Sequence, residues 1–199
     1  MNTKDKILET TFLLSLKYGY ANVSIKQIKE ECGMSASSIY HYFTDKDDIL
    51  SQMIDKYILN IVDYNNEIMK NVSGSFIEKL KFIFYYSIGI NIKEESQVKI
   101  TKEPINYKNY HLMFNSIYHQ YPEYREKFNK LNESMLLFFK ELIDEAIENN
   151  EIGNVNSEEV AIFIFSIIKG YTELWVGLPE YSLDEIIDIN INNIWRAIK

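Results

Sequence analysis

The chain has 199 residues, 46% of them apolar, with seven glycines, three prolines and one cysteine. This composition excludes a disordered chain and a disulfide-built scaffold, and the length allows a real core in one large domain or two small ones. The formal net charge of −8 excludes general polyanion binding, and no apolar run nears the ~18–20 residues of a membrane span, so a cytoplasmic protein with no membrane partner is expected.

The charge is uneven. Residues 1–50 hold six lysines against seven carboxylates, so −7 of the total falls on residues 51–199. The N-terminal segment is close to neutral, which leaves it free for a role that the rest of the chain would oppose electrostatically.

In chain order, Ile7, Leu8, Thr11 and Leu14 repeat at helical spacing, and Gly19 closes the helix. Ser24 is placed to cap the next helix, with Gln27 three residues on to return the bond and Val23 and Ile28 set to pack as a hydrophobic staple. That helix ends at Cys32-Gly33, and the arrangement recurs with Met34, Ser35 as cap, and Ile39. Two short capped helices around Gly33 are the elements of a helix-turn-helix.

From Asp45 the apolar positions Ile49, Leu50, Met53, Ile54, Tyr57, Ile58, Ile61 and Val62 hold one face. A helix over 45–69 would run about 37 Å, enough to connect two domains. Ser75 and Glu78 form a capping box before a helix over Phe76–Ile92 that is apolar almost all round and therefore expected to be central. "KEESQVKITKE" reads as a polar, flexible connector, and an aromatic helix follows over Tyr107–Tyr118. Pro122 suits the first position of a long helix carrying Leu131, Met135, Phe138, Leu142 and Ala146, with Glu123/Lys127 and Glu126/Lys130 on its solvated side. Asn156 with Glu159, and Ser182 with Glu185, cap the last two helices. The first of these has two apolar faces, so one can serve its own core and the other a partner. No strand alternation appears, and an all-α fold is expected.

The stretch "ILETTFLLSLKYGYANVSIKQIKEECGMSASSIYHYFTDKDDIL" resembles the N-terminal domain of the tetracycline-repressor (TetR) family of bacterial transcription regulators. Ile7-Leu8, Gly19-Tyr20, Ser24, Ile28, Gly33, Ser35, Ile39-Tyr40, Tyr42-Phe43 and Lys46 fall at that family's pattern positions without gaps. "NNEIGNVNSEEVAIFIFSIIKGYTELW" resembles the family's looser dimerisation region. The chain departs from the pattern at Thr10-Thr11, where an Ala-Ala pair is usual, at Ser15 in place of an aromatic, at Lys29 in place of a small residue, and at Ala36, often lysine.

The resemblance implies an N-terminal three-helix helix-turn-helix domain over 1–46 and a C-terminal helical ligand-binding and dimerisation domain over 47–199, joined by helix 45–69. It implies a homodimeric repressor of a double-stranded DNA operator, released by a small molecule. A recognition helix reads bases with side chains near its N-terminus, so Ser37, Ser38 and His41 are expected to face bases, with Ser35 as cap. Ser24 and the following helix N-terminus, with Lys26 beside them, suit phosphate oxygens. Tyr40, Tyr42 and Lys46 match the family's phosphate contacts, and Lys4 and Lys6 are further candidates. The segment Met34–Phe43 itself has no lysine or arginine.

Tyr86, Tyr107, Tyr110, His111, Phe114, Phe138 and Trp175 lie on helices that surround a cavity in the family. They are expected to bind a small hydrophobic or cationic ligand, the latter by cation–π contact. The dimer interface is expected at Phe163, Ile167, Tyr171, Leu174, Ile187, Ile191, Ile194 and Trp195. His111 and His119 are eight residues apart with no supporting metal-ligand set, and no nucleophile has a plausible base, so neither a metal, a cofactor nor an enzyme is expected. The competing expectation is a helical interaction protein with the same fold that responds to a protein partner or lacks sequence-specific DNA binding.

Overall fold

The computed structural model describes residues 2–59, 72–87, 90–91, 96–97, 107–177 and 180–199. Apart from one pair of two-residue strands, the regular elements among the described residues are helices, and the chain forms two compact units, Met1–Tyr64 with Lys99–Arg125, and Asn65–Val98 with Glu126–Lys199. None of the helices among the described residues is long and apolar enough to cross a membrane.

The first unit begins with α1 (Thr3–Tyr18), capped by the Asn2 side chain, and a 3₁₀ turn over Tyr20–Asn22. Next come α2 (Ile25–Cys32), α3 (Ala36–Tyr40) and α4 (Lys46–Ile54). Ile7, Phe12, Ile28, Ile39, Phe43 and Ile49 are fully buried, one or two from each element, so these short helices share one core. The expected boundary at 46/47 falls inside α4, whose Ile49, Leu50 and Met53 are buried and which packs on α1 in this unit. The helix expected over 45–69 changes character at Asp55–Leu59, a single π turn, and 60–69 lies outside the described residues. Tyr57 in that turn stacks on Phe12 at 4.8 Å between ring centres.

α6 (Tyr107–Gln120) and a second 3₁₀ turn (Pro122–Tyr124) complete the unit. Tyr110 lies edge-on to Phe12 at 6.0 Å, and its hydroxyl donates to the Tyr57 carbonyl at 3.2 Å.

The departures from the family pattern in α1 have a local explanation. Thr11 donates to the Ile7 carbonyl at 2.8 Å and Ser15 to the Thr11 carbonyl at 2.7 Å, so both buried hydroxyls are satisfied within their own helix.

The second unit contains α5 (Phe76–Tyr86), α7 (Arg125–Glu148), α8 (Ser157–Gly177) and α9 (Leu183–Ile198). Its core joins Leu80, Phe84, Phe139, Ile143, Ile164, Tyr171, Ile187 and Ile194. The expected caps form: Ser75 and Ser182 make full capping boxes, and Asn156 accepts from the Glu159 amide at 3.3 Å. The Glu126–Lys130 pair forms at 2.8 Å.

α5 ends six residues before the expected Ile92. The Phe84 carbonyl is taken by the hydroxyls of Ser87 and Tyr171, so helix-continuing bonding gives way there. Beyond it, β1 (Ile90–Asn91) pairs antiparallel with β2 (Ser96–Gln97), a two-residue contact that sequence alternation does not announce. Most of the expected flexible connector lies outside the described residues.

Candidate nucleic-acid interface

The hydrogen bonds of α2 and α3 are those of a helix-turn-helix. The Ser24 hydroxyl accepts from the Gln27 amide while the Gln27 side chain accepts from the Ser24 amide, closing the box at 3.2 and 2.8 Å. Gly33 ends α2 in the left-handed region, at φ 64° and ψ 37°, where a side chain would be strained. Its amide and that of Met34 reach back to the carbonyls of Glu30 and Lys29. Ser35 then caps α3, accepting from the Ser38 amide at 3.1 Å.

The proposed reading surface is exposed. Ser35, Ser37 and His41 face solvent, and Ser38 is half-buried. The Ser35 hydroxyl lies 2.8 Å from both the Ser37 and Ser38 hydroxyls, so three short polar side chains form one cluster at the start of α3. Such hydroxyls can donate or accept, and they suit base edges only after exchanging these mutual bonds. His41 follows α3 directly, with its ring edge-on to Tyr42 at 5.0 Å. Tyr40 and Tyr42 are 53% and 39% exposed, unusual for tyrosines beside a buried Ile39 and Phe43. Their hydroxyls are therefore presented outward, as a phosphate contact requires.

The cations are placed less freely than the sequence suggests. Ser24 and Lys26 are exposed at the start of α2. Lys6 instead donates to the Cys32 carbonyl at 2.9 Å, so its charge meets the negative end of α2 and ties α1 to that helix. Lys6 is exposed, and in the free protein its ammonium, like that of Lys46, has an internal carbonyl partner. Lys4 sits over the Phe43 ring at 5.8 Å. Lys46 lies 4.5 Å from the centre of the Tyr20 ring, and its ammonium donates to the Ala21 carbonyl at 3.3 Å. Loss of water there lowers its pKa from the usual lysine value, against an opposing pull from Asp47.

Tyr20 is the residue that sequence reasoning underused. It is buried, its hydroxyl donates to the Lys46 carbonyl, and its ring meets Tyr121 edge-on at 6.2 Å. Burial first, then Asp47, pushes its pKa well above the ordinary tyrosine value. The only sequence signal was its place after Gly19, which says nothing of its partners.

The expected ligand residues fall in both units. Tyr110, His111 and Phe114 belong to α6 in the first, where Tyr110 takes part in packing and the His111 ring nitrogen lies 3.3 Å from the Asn115 amide. In the second, Tyr86 stacks on Phe82 at 5.4 Å, and Phe138 and Trp175 pack against the core. The Tyr107 side chain lies outside the described residues.

Of the expected interface residues, Tyr171, Ile187, Ile191 and Ile194 are buried inside their own unit and offer nothing to a partner. The stripe on α8 that turns inward is Ala161, Ile164, Ile168 and Tyr171. Ile167 and Trp195 are half-buried against that core. The outward side of α8 presents Ile162, Phe163 and Leu174, with Ser166 and Gly170 exposed between them. A groove of about 280 Å³ runs beside it, lined by Leu136, Leu137, Lys140, Glu158, Ala161 and Ile162.

Residues 7–53 match the family model described as bacterial regulatory proteins, tetR family. Over 98% of its length the chain is 24% identical to 72% of "Uncharacterized HTH-type transcriptional regulator YerO" of Bacillus subtilis (strain 168). Its fold is similar to that of a putative transcriptional regulator from Saccharomonospora viridis in complex with choline, with 18% identity, a TM-score of 0.78, and 98% and 97% of the two chains covered. It is also similar to the transcriptional regulator FadR from Bacillus subtilis in complex with stearoyl-CoA, with 18% identity, a TM-score of 0.62, and 96% and 95% covered.

Proposed function

We propose that the chain, whose residues 7–53 match the model of the tetR family of bacterial regulatory proteins, is a homodimeric repressor of that family that binds a two-half-site operator and leaves it when a small molecule binds. The observation that carries the DNA-binding part is the exposed Ser35–Tyr42 segment, held rigidly by two capped helices on a shared core. Ser37, Ser38 and His41 face bases. Ser24, Lys26, Tyr40, Tyr42 and Lys46 hold phosphate from around the reading helix, which explains how a segment without lysine or arginine serves as a reader.

Dimerisation uses the outward side of α8. Large apolar side chains flank the small Ser166 and Gly170, and among the described residues nothing beyond the helix's own adjacent backbone lies within 4 Å of where a Gly170 side chain would stand, so a second helix can approach closely. The helical domain takes a hydrophobic or cationic ligand. The choline and stearoyl-CoA held by the two related regulators support those two classes, and the aromatic side chains Tyr86, Phe138 and Trp175 suit both. Ligand binding biases the spacing of the two heads away from the ~34 Å, or a multiple, that half-sites require. Coupling is reciprocal, so operator DNA weakens ligand binding by the same factor.

Selection of bound sequences from a random DNA pool, followed by mobility shift on the winner, tests this reading. A palindromic site bound by the dimer is expected. Recovery of no preferred sequence would leave a helical interaction protein as the better account.

A further inference from the structure

We propose that a cleft in the first unit, between the end of α1 with its 3₁₀ turn on one side and α6 on the other, is a second small-molecule site for an uncharged amphiphile. Its volume is about 390 Å³, within the range of ligand pockets. Its apolar surface comes from Leu16, Leu112, Met113 and Ile117, of which Leu112 is 50% exposed. Ser116, Gln120 and Tyr121 add a hydroxyl, an amide and a phenol on one edge. Among the described residues these three groups have no hydrogen-bond partner and remain available to one.

The charge pattern sets the ligand class. In a chain with 29 carboxylates, none of the residues lining this cleft is acidic. Lys17 is its one lining cation, and its ammonium sits over the ring of its own neighbour Tyr18 at 5.0 Å. A cation would find no counter-charge among the lining residues. An anion would have to draw Lys17, the lining cation, from the Tyr18 ring. An uncharged ring or short chain bearing an amide or hydroxyl loses only water that the cleft's own polar edge replaces.

The location gives the site a consequence. Tyr20 and Ala21 line the cleft, and they are the two residues that hold the Lys46 ammonium. A compound seated against them alters how readily Lys46 reaches phosphate. This second step rests on the proposed DNA binding; occupancy of the cleft does not.

The test uses the full chain and three fragments sharing one ring: benzamide, benzoate and benzylammonium. Saturation-transfer NMR should show benzamide binding at least tenfold more tightly than either charged fragment. Ser116→Trp, which fills the cleft from half-buried Ser116 on α6, should abolish it. Gln120→Leu, which removes the amide without filling space, should weaken it severalfold and guards against misfolding of the first variant. Equal binding of all three fragments, or benzamide binding unchanged in both variants, overturns the site. Because this readout contains no DNA, failure here with intact operator binding refutes the cleft alone. Loss of operator binding with intact fragment binding refutes the proposed function alone. If both hold, saturating benzamide should shift operator affinity in the wild type and not in Lys46→Met; an equal shift in both would overturn the link through Lys46.

Discussion

Replacing Lys46 by Met separates its two environments, the internal one seen here and the phosphate contact proposed for it. In the free protein the ammonium has one carbonyl partner and one ring, Ala21 and Tyr20. Each interaction at a partly exposed site contributes about 0.5–1 kcal/mol, so the melting temperature should fall only slightly. The Tyr20 hydroxyl bond to the residue 46 carbonyl survives, because it uses the main chain. On DNA the loss is larger and has a salt signature. Each neutralised phosphate contributes ~0.9 to the slope of log affinity against log salt, so losing Lys46 from both subunits should reduce the slope by about 1.8. Between about 50 and 200 mM salt, the difference between wild type and variant should therefore shrink by about tenfold. If Lys6 keeps its bond to the Cys32 carbonyl on DNA, two or three lysines per subunit remain, and a wild-type slope of roughly 4–5 is expected. Fluorescence anisotropy on a labelled operator across that range measures both slopes. An unchanged slope in the variant would mean that Lys46 stays over Tyr20 in the complex, and the phosphate assignment would be wrong.

Ser24→Ala removes the capping box of α2 and should cost about 1 kcal/mol, read from urea unfolding. Leu174→Glu on the outward side of α8 should yield monomers in sedimentation velocity at micromolar concentration while leaving the helical content intact; a persistent dimer would move the interface elsewhere. Burial raises the pKa of Tyr20, Tyr57 and Tyr171 above 10.0. A raised folded-state value means their stabilising contribution is full below pH 10 and is lost as pH climbs past it. Absorbance at about 295 nm should therefore show a late, cooperative tyrosine transition coincident with loss of helix by circular dichroism; early, non-cooperative ionisation of all fifteen tyrosines would contradict the burial.

The reading head was largely legible before any coordinates, because its signals are local. Caps at Ser24 and Ser35 and the turn at Gly33 act over three or four residues, and each appears where spacing placed it. The second unit was legible in its helices and less so in their rotation. α8 is apolar on more than one side, so periodicity alone could not choose which stripe turns inward, and Tyr171 was drawn to the Phe84 carbonyl. That same long-range bond, with the Ser87 hydroxyl beside it, marks where α5 stops. The partners of Lys6 and Lys46 lie 26 and 25 residues away in sequence, beyond the reach of any pattern argument. Tyr20 was visible only as one pattern position among many, yet it meets Lys46 on one side and Tyr121 on the other.

The internal engagement of Lys6 and Lys46 has a kinetic consequence. Non-specific retention on duplex depends almost wholly on loose positive charge. A head that keeps two of its cations bound to its own carbonyls grips arbitrary sequence briefly, so this protein should locate its target through many short encounters from solution, with little sliding along the contour. Residence would then be governed by the base contacts proposed for Ser37, Ser38 and His41.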